Sequence, residues 1–242
     1  MFVYVETLKL ALDNMGLDRH ILDAKQVLVK INLARPPQPG HPRTDARMLA
    51  DLIRYVSDCG GRLTLAEAAD GFLDANVAAI GLDTLVTSHA VTLLDLDQAD
   101  TEQVVIDDEV HHIPTCLRDF PLRIAFPMTS QRPGMIFSNN VKLFVGAVPR
   151  RLYQTGEPGA PRPRIHENLH QSVATLYRAI CQFAPFHYFI NGGNAFIEKR
   201  GEVTLPSVFV GDDGPELDRL LVVLYELEQP EYLALLKTHT TG

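Results

Sequence analysis

The sequence predicts an α/β fold: a mostly parallel sheet built from βαβ units, with helices on both faces and peripheral antiparallel hairpins. Three observations carry that prediction. The apolar run VLVKI (27–31) is followed by a stretch of helical period and then by GGRLTLAEAADG, which together make a complete strand–helix–strand unit. Two further apolar runs, Leu122–Phe126 and Phe186–Ile190, stop at Pro127-Met128-Thr129 and at Asn191-Gly192-Gly193, as fully buried strands do. Between the first unit and these runs, two segments flank Asp107-Asp108-Glu109 and read as a hairpin. At 242 residues, the chain 1–242 is read as a single α/β domain able to bury a substantial core.

Taken in order, Val5, Leu8, Leu12 and Met15 recur at helical spacing, so residues 4–15 are expected to form an amphipathic helix stopped by Gly16. The strand Val27–Ile31 carries Lys30, an expensive residue to bury alone. Lys30 therefore either ends the strand and reaches a cleft, or faces solvent on an edge strand. Asn32 follows, then a loop of four prolines with Gly40 and the donors Arg35, His41 and Arg43. Thr44 is read as the N-cap of a helix whose stripe is Leu49, Leu52, Ile53 and Val56, closed by Gly60-Gly61. The strand Arg62–Ala66 delivers Glu67 and then Asp70-Gly71.

Short helices are expected from Asp74 to Thr87, capped by Asp74 and Asp83, then a strand at 91–96 and the hairpin Gln103–Ile106 with Val110–Pro114. After the strand Leu122–Phe126 comes Pro127-Met128-Thr129, and Ser138-Asn139-Asn140 then caps VKLFVGAVP. Residues 149–164 hold Pro, Gly and four arginines, which reads as an exposed loop, either an insert or a lid. Ile165–Phe183 has one continuous helical stripe. Asn191-Gly192-Gly193 ends the next strand, Ala195–Glu198 and Lys199-Arg200-Gly201 suggest a hairpin, and Ser207–Val210 is a further strand. Helices from Pro215 to Leu227 and from Glu231 to Lys237 precede a flexible tail at 238–242.

Composition narrows the function classes. A net charge of -8 argues against nucleic acid as a partner. No run approaches the roughly 20 apolar residues of a spanning helix, and no signal peptide is visible, so no membrane partner and a cytoplasmic location are expected. Three well-separated cysteines, Cys59, Cys116 and Cys181, are read as buried thiols; they suggest a reducing compartment and exclude an iron–sulfur cluster within this chain. No G-x-S-x-G, P-loop or G-x-G-x-x-G is present.

Polar groups recur after the buried strands: Asn32, then Glu67 and Asp70, then Thr129, then Asn191-Gly192-Gly193, then Asp212. In open α/β sheets ligands lie beyond the carboxyl ends of the strands, so these residues mark a candidate site. His166-Glu167-Asn168-Leu169-His170 is H-E-x-x-H, the spacing that sets two imidazoles on one helical face for zinc. No third ligand follows in the usual places: Val173 and Leu176 occupy the metzincin positions, and residues 171–197 contain no Glu. The preferred reading is no bound metal; His166 and His170 with Asp218 are the minority metal set.

VLVKINLARP, its helix and GGRLTLAEAADG resemble the opening of the domain of unknown function 362 proteins, which begin with a strand ending in Lys-x-Asn and continue through a Thr-headed helix to an acidic strand end. FSNNVKLFVGAVP resembles that family's Lys-containing segment, placing Lys142, Gly146 and Pro149 on its pattern. Arg164 and His166 resemble its following basic residue and His, FHYFINGG its strand ending in an Asp-Gly-type turn, and FVGDDGPELD its late segment ending at Asp218. The resemblance spans about residues 27–220, as a short member without the ferredoxin-like cysteine clusters. Asn191 stands where Asp is expected, Leu143 where Asn usually follows the Lys, and Pro127-Met128-Thr129 where Lys-Thr-His is common.

These residues together imply a small-molecule enzyme acting on a carboxylate- or phosphate-bearing anion by acid/base or group-transfer chemistry. Lys30, Glu67 and His166 are its catalytic candidates. Asn32, Arg35, Asp70, Thr129, Asn139, Lys142, Arg164, Asn191 and Gly193 are its substrate-binding candidates. A noncatalytic ligand-binding or accessory protein is the alternative, and a metal-dependent enzyme through His166 and His170 the lesser one. Homo-oligomerisation and the cofactor, a metal ion included, are left open.

Overall fold

A computed structural model describes residues 2–5, 7–38, 43–131, 137–153 and 162–236. Its strands are β1 (Phe2–Val5), β2 (Gln26–Lys30), β3 (Arg62–Glu67), β4 (Thr92–Asp95), β5 (Thr101–Ile106), β6 (Glu109–Pro114), β7 (Leu122–Ala125), β8 (Ser130–Gln131), β9 (Tyr188–Ile197) and β10 (Gly201–Gly211). The main sheet runs β1-β10-β9-β7-β2-β3-β4, with β8 added alongside β9. Pairings from β9 through β4 are all parallel, and only β10 runs against its neighbours. The fold is thus α/β with a mostly parallel sheet. β5 and β6 form a separate antiparallel hairpin whose turn residues Asp107 and Asp108 both have positive φ, the twist that suits a two-residue connection.

Helices cover both faces. On one lie α1 (Leu8–Asn14), α2 (Leu17–Ala24), α3 (Ala46–Asp58), α4 (Leu73–Ala79) and α5 (Asp83–Ser88), packed on Val27, Val29, Leu65, Ile124 and Ile190. On the other lie α6 (Asn140–Leu143), α8 (Leu169–Phe183), α9 (Gly214–Leu224) and α10 (Glu231–Leu235), packed with the hairpin on Leu28, Ala125, Phe189 and Phe209. Side chains alternate along a strand, so Lys30 shares the face of Leu28 and points toward the α6 side. Because β2 is central, the solvent-facing reading of Lys30 is ruled out: the residue is 0 % exposed.

Several expectations from sequence need correction. Phe2–Val5 is a strand paired with β10, so the N-terminal helix starts only at Leu8, where Thr7 accepts from the Leu10 amide; α2 was not foreseen. Asp45, not Thr44, caps α3 by accepting from the Met48 N–H. Thr44 instead ties the strand end, its hydroxyl accepting from the Asn32 N–H at 2.8 Å. Asp74 and Asp83 sit in the first turns of their helices rather than at the caps. The expected helix Ile165–Phe183 is broken: α7 (Pro163–His166) ends, and α8 begins at Leu169 after a non-helical Asn168.

Asn191-Gly192-Gly193 does not end its strand; β9 continues to Ile197, and the glycines with φ of 155° and 66° lie opposite a register shift in β10. Of the 149–164 loop, residues 154–161 lie outside the described residues, but Arg150 and Arg162 are buried rather than exposed. Cys181 is exposed and Cys59 and Cys116 are half-buried, all three as free thiols. Gly40, His41 and the tail 238–242 also lie outside the described residues. Among the described residues no helix is long and apolar enough to cross a membrane.

Candidate functional site

The carboxyl ends of β2, β3 and β4 converge on a buried ionic cluster. Lys30 Nζ lies 3.0 Å from Glu67 Oε1, with the two side chains 1 % and 2 % exposed, and donates to the Ile31 carbonyl at 2.7 Å. Glu67 Oε2 accepts from the Leu33 N–H at 2.9 Å, and Oε1 from the Ala68 N–H at 3.0 Å. Burial drives Lys30 down and Glu67 up from their ordinary ranges, toward a neutral pair, and the attraction between them opposes both. The Leu33 and Ala68 N–H groups stand in for the water that the carboxyl loses on burial.

Gly146 closes over this pair. A Cβ added there would stand 2.5 Å from Glu67 Oε1 and 3.0 Å from Lys30 Nζ, so the position requires glycine through close approach. Gly146→Ala is expected to destabilise the fold by about 1–3 kcal/mol, read as a lower urea midpoint. An unchanged midpoint would mean that the covering segment is free to lift.

Beside the pair lie two arginines from the segment expected to be exposed. Arg150 donates to Asp70 Oδ2 at 2.6 Å and to the Ala68 carbonyl at 3.1 Å, while its backbone N–H donates to Asp97 Oδ1 at 2.5 Å. Asp97 Oδ2 also accepts from the Asp70 N–H at 2.8 Å, which fixes the left-handed Asp70 at the end of β3. Arg162 is different. It is 8 % exposed, donates to the Val148 carbonyl at 2.8 Å, leaves its Nε–H without a partner, and has no carboxylate within ion-pair distance among the described residues. Burial, and then the charge of Arg150, pull its proton affinity down to about 10, so it keeps its positive charge at neutral pH.

A second buried cluster anchors the other end of the covering segment. Asp218 is 0 % exposed; its Oδ1 accepts from Asn139 Nδ2, the Asn140 N–H and Asn140 Nδ2 at 2.9, 3.0 and 2.9 Å. Its Oδ2 accepts from the Val141 N–H at 3.1 Å and from the Tyr232 hydroxyl at 3.5 Å. Asp218 therefore caps α6 from another helix, the task expected of Ser138-Asn139-Asn140. Thr129 donates to Asn139 Oδ1 at 3.0 Å, and Asn191 Nδ2 donates to Asn140 Oδ1 at 3.2 Å. The segment 139–150 is thus a strap fixed at one end by Asp218 and at the other by Glu67, Asp97 and Asp70.

The structure sorts the sequence candidates accordingly. Lys30, Glu67 and Asp70 meet in the ionic cluster; Thr129, Asn139 and Asn191 meet around Asp218. Lys142 sits half-buried on the strap between them. Asn32 is half-buried at the end of β2, and Arg35 is exposed with its carbonyl accepting from Arg43 Nε at 3.3 Å. Gly193 stands apart, backed onto Asp45, whose Oδ2 accepts from the Asn194 N–H at 3.0 Å. Arg164 is exposed on α7, beside the hairpin.

The H-E-x-x-H motif does not form one helical face. His166 ends α7 and donates from Nδ1 to the Arg162 carbonyl at 2.7 Å, whereas His170 on α8 accepts from the Tyr232 N–H at 3.3 Å and stacks on that ring. No group of three metal-binding side chains assembles among the described residues. Arg150, Arg162 and Asp97 were missed as site residues. The density of arginine in 149–164 is the signal for the first two, and it reads from sequence as an exposed loop, an insert or a lid.

No curated protein matches the chain. A family model described as a domain of unknown function, DUF362, matches residues 27–222, the stretch that runs from β2 through Asp218 and holds both clusters. The chain belongs to the DUF362 family.

Proposed function

We propose that the protein is a cytoplasmic small-molecule enzyme. Its substrate is an anion bearing a carboxylate or phosphate, held at the carboxyl edge of the sheet, and nucleic acid and membrane are not its partners. One observation carries the reading: Arg162 is a buried guanidinium whose Nε–H has no partner and which, among the described residues, has no carboxylate within ion-pair distance, Asp97, Glu67 and Asp70 acting on it only from farther off. A buried guanidinium with an unsatisfied N–H and no direct ion pair is costly, and an anionic ligand supplies the missing acceptor at contact distance. Its position near the ends of β2 and β3 agrees with where open α/β sheets bind ligands.

Four residues on, the exposed His166 donates from Nδ1 to the backbone carbonyl of Arg162, which leaves Nε2 to exchange a proton with a ligand. That is the arrangement an acid/base group requires, so His166 keeps the role assigned to it from sequence. Lys30 and Glu67 enter this reading as the buried support beneath the anchor, and Lys142 as the charge on the strap. The free cysteines suit a reducing compartment.

The second reading, a noncatalytic ligand-binding protein, draws support from the same geometry. Lys30, Glu67, Asn139 and Asp218 are all 2 % exposed or less and committed to one another or to the backbone, and the buried Asn191 donates to the Asn140 side chain. The two readings share the anchor and differ in turnover.

The test is thermal stabilisation by a panel of small carboxylates and phosphates, with the mixture assayed for chemical change. A ligand at about one hundred times its Kd is expected to add about 3 kcal/mol to the wild type. Arg162→Gln is expected to bind that ligand about ten- to a hundredfold more weakly. Equal stabilisation of the two proteins would remove Arg162 as the anchor, and binding without turnover would favour the second reading.

A further inference from the structure

We infer a second ligand site, separate from the carboxyl edge, between the β5–β6 hairpin and the start of α8: a pocket for a small monoanion that carries a hydroxyl of its own. A cavity of about 360 Å³ lies there, lined by His111, His112, Tyr153, Arg164 and Asn168. His111 is 2 % exposed, and its Nδ1 has no hydrogen-bond partner.

The tautomer of His111 follows from its other nitrogen. Nε2 lies 3.0 Å from the Thr175 hydroxyl, whose remaining neighbours are all acceptors: Glu109 Oε2 at 2.8 Å, and the Gln171 and Ser172 carbonyls at 3.0 and 3.3 Å. The single hydroxyl proton goes to the Glu109 carboxylate, the nearest and strongest acceptor, so Nε2–H donates to Thr175 and Nδ1 is left as a bare lone pair. Burial holds the imidazole neutral, with its titration pushed down to about 4. A buried acceptor without a donor asks for a ligand O–H or N–H.

The rest of the cavity asks for negative charge. Arg164 reaches it from α7, and the positive charges of Arg164 and Arg151 act on His112 in its wall. The 15-residue α8 begins here with no side chain capping its first N–H groups, which is where oxyanions are received. Two carboxylates also line the cavity, Glu109 committed to Thr175 and Glu167 exposed. They disfavour a doubly charged ligand. An oxyanion of single charge with its own hydroxyl answers His111 Nδ1, Arg164 and the first N–H groups of α8 together: a protonated phosphate, free or as a monoester, or a 2-hydroxycarboxylate. This site stands independently of the reading of Arg162.

The test is nitrogen NMR of the His111 ring in the wild-type protein at about pH 6, where inorganic phosphate is largely the monoanion. Four probes are titrated: phosphate against sulfate, and glycolate against acetate. Within each pair only the first carries a hydroxyl donor. The inference expects a saturating shift of Nδ1 with phosphate, glycolate or both, about tenfold tighter than the hydroxyl-free counterpart, and about tenfold weaker in Arg164→Ala. A response to phosphate alone identifies a phosphate site, and to glycolate alone a hydroxy-acid site. No shift with any probe, equal response to both members of each pair, or undiminished binding in Arg164→Ala would overturn it.

Discussion

Lys30→Met is expected to destabilise the protein by about 3–5 kcal/mol, because it leaves the Glu67 carboxylate buried without its counter-charge. Methionine fills nearly the same volume, so the loss reports charge rather than packing. The double substitution Lys30→Met/Glu67→Gln is expected to recover most of it. The glutamine oxygen still accepts from the Leu33 or Ala68 N–H, and neither member of the pair is left as a buried ion. Urea unfolding of the wild type, both single variants and the double variant completes the cycle. A Lys30→Met protein as stable as wild type would mean that Lys30 is not paired in the fold and is available to a ligand after all.

Asp218→Ala is expected to cost about 4 kcal/mol or more. It strands donors of Asn139, Asn140 and the Asn140 and Val141 backbone, each worth about 1–3 kcal/mol when left unsatisfied. Asp218 also carries a pH signature. Burial pushes its titration up to about 7, against the opposition of its donors, whereas in the unfolded chain it titrates near 3.9. Between about pH 4 and 7 the native state therefore binds more protons than the unfolded state, and Asp218's contribution to stability falls as pH rises through that window and levels off above it. Glu67 is shifted in the same direction, so the informative quantity is the difference between wild type and Asp218→Asn. Wild type is expected to lose stability more steeply than the variant from about pH 4 to 7. Parallel curves would contradict the assignment.

The parallel sheet was legible in sequence because buried strands and amphipathic helices impose periods of their own, and Val27–Gly71 shows both cleanly. The break between α7 and α8 was not. The apolar stripe is continuous across it, and only Asn168, a cap-forming residue type, hinted at a new start. Asn191-Gly192-Gly193 was read as a strand end because glycine usually punctuates; here it marks an irregularity inside a longer strand.

The site divided along the same line. Lys30 and Glu67 stood out because charge is rare in apolar runs. Arg150 was hidden because its burial depends on carboxylates far along the chain: Asp70 lies 80 residues from it, and Asp97 lies 53 residues from it. Local composition holds no record of that pairing. Asp218 is the converse case. It was singled out as the end of a family-like segment and as a member of the minority metal set, and its position makes it the cap of α6.

The central claim is that the unpartnered N–H of Arg162 receives an anion. It is tested most directly by observing that proton: the arginine Nε–H resonance of Arg162, assigned by its absence in Arg162→Lys, followed while a stabilising carboxylate or phosphate is titrated in. A saturating downfield shift at Arg162, with the same midpoint as the gain in thermal stability, is the expected result. A resonance that stays in place while the protein is stabilised would show that the anion binds elsewhere and contradict the account.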